Sequence, residues 1–274
     1  MSFLRIFTET QMQKMKSGVN AELFAKLKAD VLKGEVFPAI RQNELHFYYK
    51  GGCLYKFANG SFKRDKNYGK FGEGLENLPP YERAKRENER KYTRVGGKIM
   101  ERQLLDALYR HTFDGRNEND TVVLDIEVDL NGTVGRGKKC DMVLLNSQTD
   151  ELMFVEGKVY SDKRVLVAIQ FTSEVIAQVN TYTAAIAEQR QNILEQYAMH
   201  VEIINELFGT TYRSPTKIVE PAKLLVYETP TNPTKNGEYS IEKINTELGA
   251  SNVLWIHKNE NPMLDEIWQS FYCV

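Results

Sequence analysis

Apolar and polar positions recur with two different periods in the first third of the chain. Thr8 and Gln11 have capping-box spacing before a short helix, and Asn20 stands where it can cap a second. The second helix carries Leu23, Phe24, Leu27 and Val31 on one face and stops at Gly34. From Glu44 the period becomes two: "ELHFYYKGGCLYKFANGSFKRD" reads as strand, Gly-Gly turn, strand, Asn-Gly turn and strand, a three-stranded meander. "NYGKFGEGLENLPPYERAKRENERKY" is rich in Gly and Pro and then in charge, which predicts a linker running into a basic helix.

A second region begins near Lys98. "KIMERQLLDALYRH" places Glu101, Leu104, Leu105 and Leu108 on one inward stripe and turns Asp106 away from it. In "TVVLDIEVDLNG", Leu124, Ile126, Val128 and Leu130 alternate with Asp125, Glu127 and Asp129, acids that suit the wet face of an edge strand. "KCDMVLLNSQTDELMFVEGK" folds on paper into a hairpin. With a turn over 147–150, Leu145 faces Leu152, Val143 faces Phe154 and Asp141 faces Glu156, with Lys158 two residues further on the same side. A slip of one residue would separate the two carboxylates.

Helical periodicity then runs from about Thr172 to Phe208, with a break expected near Gln189 and with Glu174, Gln178 and Tyr182 on one face. "KLLVYE", "IEKINTELG", "VLWIHK" and "MLDEIWQSFY" follow as strand, helix, strand and helix. The predicted fold class is α/β, a mixed β-sheet core flanked by helices over residues 96–274, with an N-terminal helix-plus-β-meander appendage over 1–95.

Composition changes this picture in one respect. The net charge of −1 gives no reason to expect a strongly basic nucleic-acid binder. Yet Lys50 to Arg102 holds 14 Lys/Arg against 7 Asp/Glu, leaving 22 against 30 elsewhere. That segment is a solvated charged surface or an approach surface for nucleic acid. The aromatics Phe47, Tyr48, Tyr49, Tyr55 and Phe62 interleave with its lysines, as a base-stacking surface would require, or make the core of the meander. Cys53, Cys140 and Cys273 have no paired spacing, and no apolar run approaches a membrane span, so the expectation is a cytoplasmic protein with reduced thiols and no membrane partner.

Two carboxylates brought together beside a lysine make chemical sense around a hard divalent cation. Magnesium prefers oxygen ligands and is often held by one or two carboxylates together with a substrate phosphate. Asp141, followed by Glu156-Gly157-Lys158 closing an apolar strand, resembles the PD-(D/E)xK nuclease signature. "QVNTY", with Gln178 and Tyr182, resembles the QxxxY helix motif of that superfamily's RecB-type branch, and Glu101 resembles its additional acidic ligand. The resemblance spans about Lys98 to Lys258. Cys140 stands where the signature has Pro, and Glu156 where RecB-type members more often have Asp.

The resemblance implies a restriction-endonuclease-like core and a nuclease using Mg²⁺, with Mn²⁺ as a substitute. Its metal ligands would be Glu101, Asp141 and Glu156; Lys158 would orient water or stabilise charge, and Gln178 and Tyr182 would support the site. DNA is the expected substrate and partner, with RNA as the lesser option. The alternative is an inactive nucleic-acid- or protein-binding module that keeps the fold. Read alone, Glu101 also suits a core ion pair, and Gln178 and Tyr182 ordinary packing. "GTVGRGKK" lacks the Ser/Thr and the following helix of a phosphate-binding loop; it reads as a turn whose Arg136, Lys138 and Lys139 touch phosphate backbone. The four His have no paired spacing for a metal site.

Overall fold

The computed structural model describes residues 3–64, 80–93, 101–109, 112, 120–130 and 139–272, with 91–93 described by their backbone. The boundary expected at 95/96 and residues 131–138, which include Arg136 and Lys138, lie outside these. The chain divides into two compact units that do not follow chain order. One comprises Leu4–Glu118 and Glu195–Ser214, the other Met1–Phe3, Asn119–Leu194 and Pro215–Val274. Among the described residues no helix is long and apolar enough to cross a membrane.

The first unit pairs helices α1 (Glu9–Lys16) and α2 (Ala21–Leu32) with an antiparallel sheet, β1 (Phe37–Arg41), β2 (Glu44–Tyr49), β3 (Gly52–Ala58) and β4 (Ser61–Lys63). The capping box forms as expected, with Gln11 N donating to Thr8 Oγ1 and Thr8 N to Gln11 Oε1. Asn20 does not cap α2: its backbone is already helical and its amide instead donates to the Lys14 and Gly60 carbonyls. The meander has four strands where three were expected. β1 was missed because Pro38 breaks the strand pattern, but at a sheet edge the lost N–H costs no ladder bond.

All five meander aromatics are buried, so they form its core and not a stacking surface. Some of the charge of the basic helix α3 (Tyr81–Thr93) is paired. Arg64 and Arg83 both reach Glu87, and Lys85 bridges Asp30 and Glu35 at 2.8 and 2.6 Å. Burial alone would raise Asp30, but its bonds from Lys85 and Tyr81 and the charges of Lys85 and Lys33 hold its carboxyl below the ordinary value of 3.8. A depressed carboxyl stabilises the fold above its unfolded pKa and loses that contribution as pH falls through the folded value. Asp30→Asn is therefore expected to cost about 1–2 kcal/mol at pH 7, a difference that fades below pH 3.8 in urea unfolding curves.

Helix α4 (Glu101–Tyr109) also belongs to this unit and buries Leu105, Leu108 and Tyr109. Asp106 was expected to point away from the packed stripe, but it is buried too. Its carboxylate accepts the Gly51 N–H at 3.1 Å in the β2–β3 turn, where Gly51 has a positive φ of 64°.

The second unit is a five-stranded mixed sheet in the order β5 (Thr121–Val128), β6 (Cys140–Asn146), β7 (Glu151–Val159), β8 (Lys217–Thr229), β9 (Val253–His257). β5, β6 and β7 run antiparallel, whereas β7–β8 and β8–β9 are parallel. A parallel neighbour needs a crossover, and helix α5 (Glu174–Phe208), which belongs to this unit as far as Leu194, lies in the connection between β7 and β8. The break expected near Gln189 is absent: α5 is continuous over 35 residues, which contain neither Gly nor Pro. Helices α6 (Lys235–Leu248) and α7 (Leu264–Tyr272) complete the unit. α7 is tied to the sheet by Asp265, which accepts from Thr121 N, and by the Tyr272 hydroxyl, which donates to Glu151.

Candidate active site

The β6–β7 hairpin adopts the register predicted from its hydrophobic pattern. Leu145 pairs with Leu152, Val143 with Phe154 and Met142 with Val155. The next step along the same register sets Asp141 opposite Glu156, and Gly157 N donates to Asp141 Oδ2 at 2.8 Å. Side chains two residues apart share a face, so Glu156 and Lys158 project together.

Lys158 closes the site. Its ammonium lies between the carboxylates, 3.5 Å from Asp141 Oδ2 and in hydrogen-bond contact with Glu156 Oε1, and donates to the Gly157 carbonyl at 2.7 Å. Glu156 and Lys158 are each 1% exposed, whereas the Asp141 side chain keeps 19% of its surface. Asp141 is therefore the open side of the cluster. Burial pushes its carboxyl above the ordinary value; the Lys158 charge and the Gly157 N–H oppose this, and Glu127 adds to the rise.

Helix α5 supplies the remaining residues. Gln178 Nε2 donates to Glu156 Oε1 at 2.5 Å and to the Tyr182 hydroxyl at 2.7 Å. Gln178 and Tyr182 are one helical turn apart, so a single face of α5 presents both. Burial, then the Glu156 charge, keeps the Tyr182 phenol protonated. Five of the six predicted residues, Asp141, Glu156, Lys158, Gln178 and Tyr182, thus form one hydrogen-bonded network. Glu101, the sixth, is the first residue of α4 in the other unit.

Strand β5 departs from the expected pattern in a way that bears on this site. A bulge between Val123 and Asp125 shifts the register, so that Asp125 pairs with Val143. Val143 lies two residues from Asp141, which puts Asp125 on the face of the site, fully buried and not wet. The pairs Ile126–Met142 and Val128–Cys140 then bracket Glu127 opposite Asp141. Glu127 has a left-handed backbone (φ 48°) and is paired with Lys139 at 3.4 Å. Simple alternation carries no signal for a bulge, so the sequence missed Glu127 as a neighbour of Asp141.

The cluster fits a hard divalent cation in its donor chemistry. Asp141 and Glu156 offer anionic oxygens and Gly157 a carbonyl, the ligand types magnesium prefers, and magnesium needs only one or two carboxylates when water and phosphate complete its shell. Among the described residues no three His, Cys, Asp or Glu side chains form a ready-made cage. Burial, then the charges of Glu156 and Asp141, push the Cys140 thiol well above the ordinary range. Compared with family models, curated proteins and solved structures, the chain matches none of them.

Proposed function

We propose that this protein is a magnesium-dependent nuclease with a restriction-endonuclease-like core of the RecB type, hydrolysing phosphodiester bonds in DNA. The observation that carries the reading is the convergence of Asp141, Glu156, Lys158, Gln178 and Tyr182 from two strands and one helix onto a single buried network. A structural ion pair would need only Lys158 and one acid. Three antiparallel strands, a crossover helix and a parallel strand also suit that core.

In this reading Asp141 and Glu156 would hold Mg²⁺, or Mn²⁺ in its place. When bound, such an ion would supply Lewis acidity at the scissile phosphate. Lys158 donates a proton-rich, charged contact to the phosphoryl oxygens as negative charge develops on them. Gln178 holds Glu156 Oε1 in place, and Tyr182, kept protonated, fixes the Gln178 amide. Asp141, the most accessible member, meets the substrate first.

The test is incubation of the purified chain with linear and circular, single- and double-stranded DNA, and with RNA, in Mg²⁺, Mn²⁺ or EDTA. Wild type is expected to cut in either metal and not in EDTA, and Asp141→Asn to lower the rate at least ~10²-fold. Metal-independent binding without cutting, equal in wild type and Asp141→Asn, would replace this reading with that of a binding module.

A further inference from the structure

Beyond Lys158 on β7, a second polar feature faces the start of a helix. Tyr160 continues the period of Glu156 and Lys158, and its backbone N–H still donates to the Tyr227 carbonyl at 2.8 Å, so the chain remains held to β8 there. The residue is 9% exposed and its side chain runs into the first turn of α6: a Cβ on Gly237 would lie 1.8 Å from the Tyr160 hydroxyl. Among the described residues, that buried hydroxyl has no hydrogen-bond partner. A buried phenol without a partner is costly and calls for an explanation.

The surroundings indicate what would satisfy it. α6 has 14 residues, and its first turn carries the partial positive charge of a helix N-terminus. Thr234 caps Gly237 N through its hydroxyl and Glu238 N through its carbonyl. The N–H groups of Lys235 and Asn236 belong to the first turn, which has no intrahelical acceptors for them. Lys235 is exposed and adds a cation; Glu238, exposed on the same turn, is the opposing charge. These groups gather at the carboxyl ends of the parallel strands β7 and β8, where open α/β sheets bind their ligands.

We infer that the first turn of α6 and the Tyr160 hydroxyl form an oxyanion subsite for the phosphodiester next to the one cut. The assignment to a substrate phosphate rests on the proposed nuclease reading; oxyanion binding itself does not. Two residues along a strand span roughly 7 Å, the order of the spacing between neighbouring phosphates on a nucleic-acid strand. Gly237 is required because any side chain there would displace the phenol from the turn.

The experiment has two arms on the full chain. In the first, thermal unfolding is followed against inorganic phosphate at constant ionic strength. Wild type is expected to gain roughly 2 °C at concentrations well above the dissociation constant. Tyr160→Phe, which keeps the ring and the packing, should lose the gain, and Lys158→Met should keep it, locating the anion away from the catalytic lysine. No gain in wild type, or an equal gain in Tyr160→Phe, overturns the subsite.

In the second arm, binding of a short DNA strand to Asp141→Asn is compared before and after each backbone phosphate in turn is made a neutral methylphosphonate. One position should cost wild-type Tyr160 several-fold in affinity and Tyr160→Phe nothing further. If phosphate stabilises the protein but no position depends on Tyr160, the ligand is a free oxyanion, the assignment to substrate is overturned, and the nuclease reading is judged by its own cleavage assay.

Discussion

Lys158→Met is expected to slow DNA cleavage severely while making the metal-free protein bind divalent cations more tightly. The reason lies in where the ammonium sits. It contacts Glu156 Oε1 and lies 3.5 Å from Asp141 Oδ2, so it neutralises the two carboxylates that the proposed function assigns to a divalent ion. Two unit charges 4 Å apart interact by about 4 kcal/mol at an effective dielectric of 20. Removing the competing charge recovers part of that for the incoming metal, and a tenfold gain in affinity needs only about 1.4 kcal/mol. Calorimetric titration with Ca²⁺ should therefore show Lys158→Met binding at least ~10-fold tighter than wild type, with cutting in Mg²⁺ reduced ~10²–10³-fold as for loss of a charge-stabilising donor. Unchanged or weaker Ca²⁺ affinity would mean that the lysine and the metal do not compete, and the carboxylate pair would lose its assignment as the metal site.

Glu156→Ala should be among the most destabilising substitutions in this unit, whatever the protein does. Lys158 is 1% exposed, and losing Glu156 takes away its nearest carboxylate, while the longer contact to Asp141 and the bond to the Gly157 carbonyl stay. Removing one partner of a buried ion pair typically costs 3–5 kcal/mol because the other charge is left behind. We expect about 3 kcal/mol from urea unfolding in EDTA. Adding Lys158→Met should return at least ~1 kcal/mol of it, since the orphaned charge is then gone. Strict additivity of the two substitutions would show that the pair is not energetically coupled.

The hairpin was legible because its two strands are apolar on both faces and end in charged residues, so only one register brings Asp141 to Glu156. The QxxxY spacing was legible for a similar reason: one helical turn fixes which residues share a face. The β5 bulge was not, because the alternation from Leu124 to Leu130 is intact in sequence, and the shift is visible only against the partner strand. Asn20 and Asp106 misled for another reason. Each found a backbone partner distant in the chain, Gly60 for Asn20 and Gly51 for Asp106, and such tertiary bonds override local capping and amphipathic preference. Tyr160 against Gly237 belongs to the same class, a contact between residues far apart in sequence that neither segment announces.

The β6–β7 turn over 147–150 carries a constraint of heredity. Asp141 and Glu156 share a face only because the hairpin has its present parity, so substitutions among the turn residues leave the site intact. Gain or loss of a single residue there would transfer one carboxylate to the opposite side of the sheet. In any lineage of this protein, the composition of that turn is free to drift, while an odd change in its length would silence the site at once and leave the sheet standing.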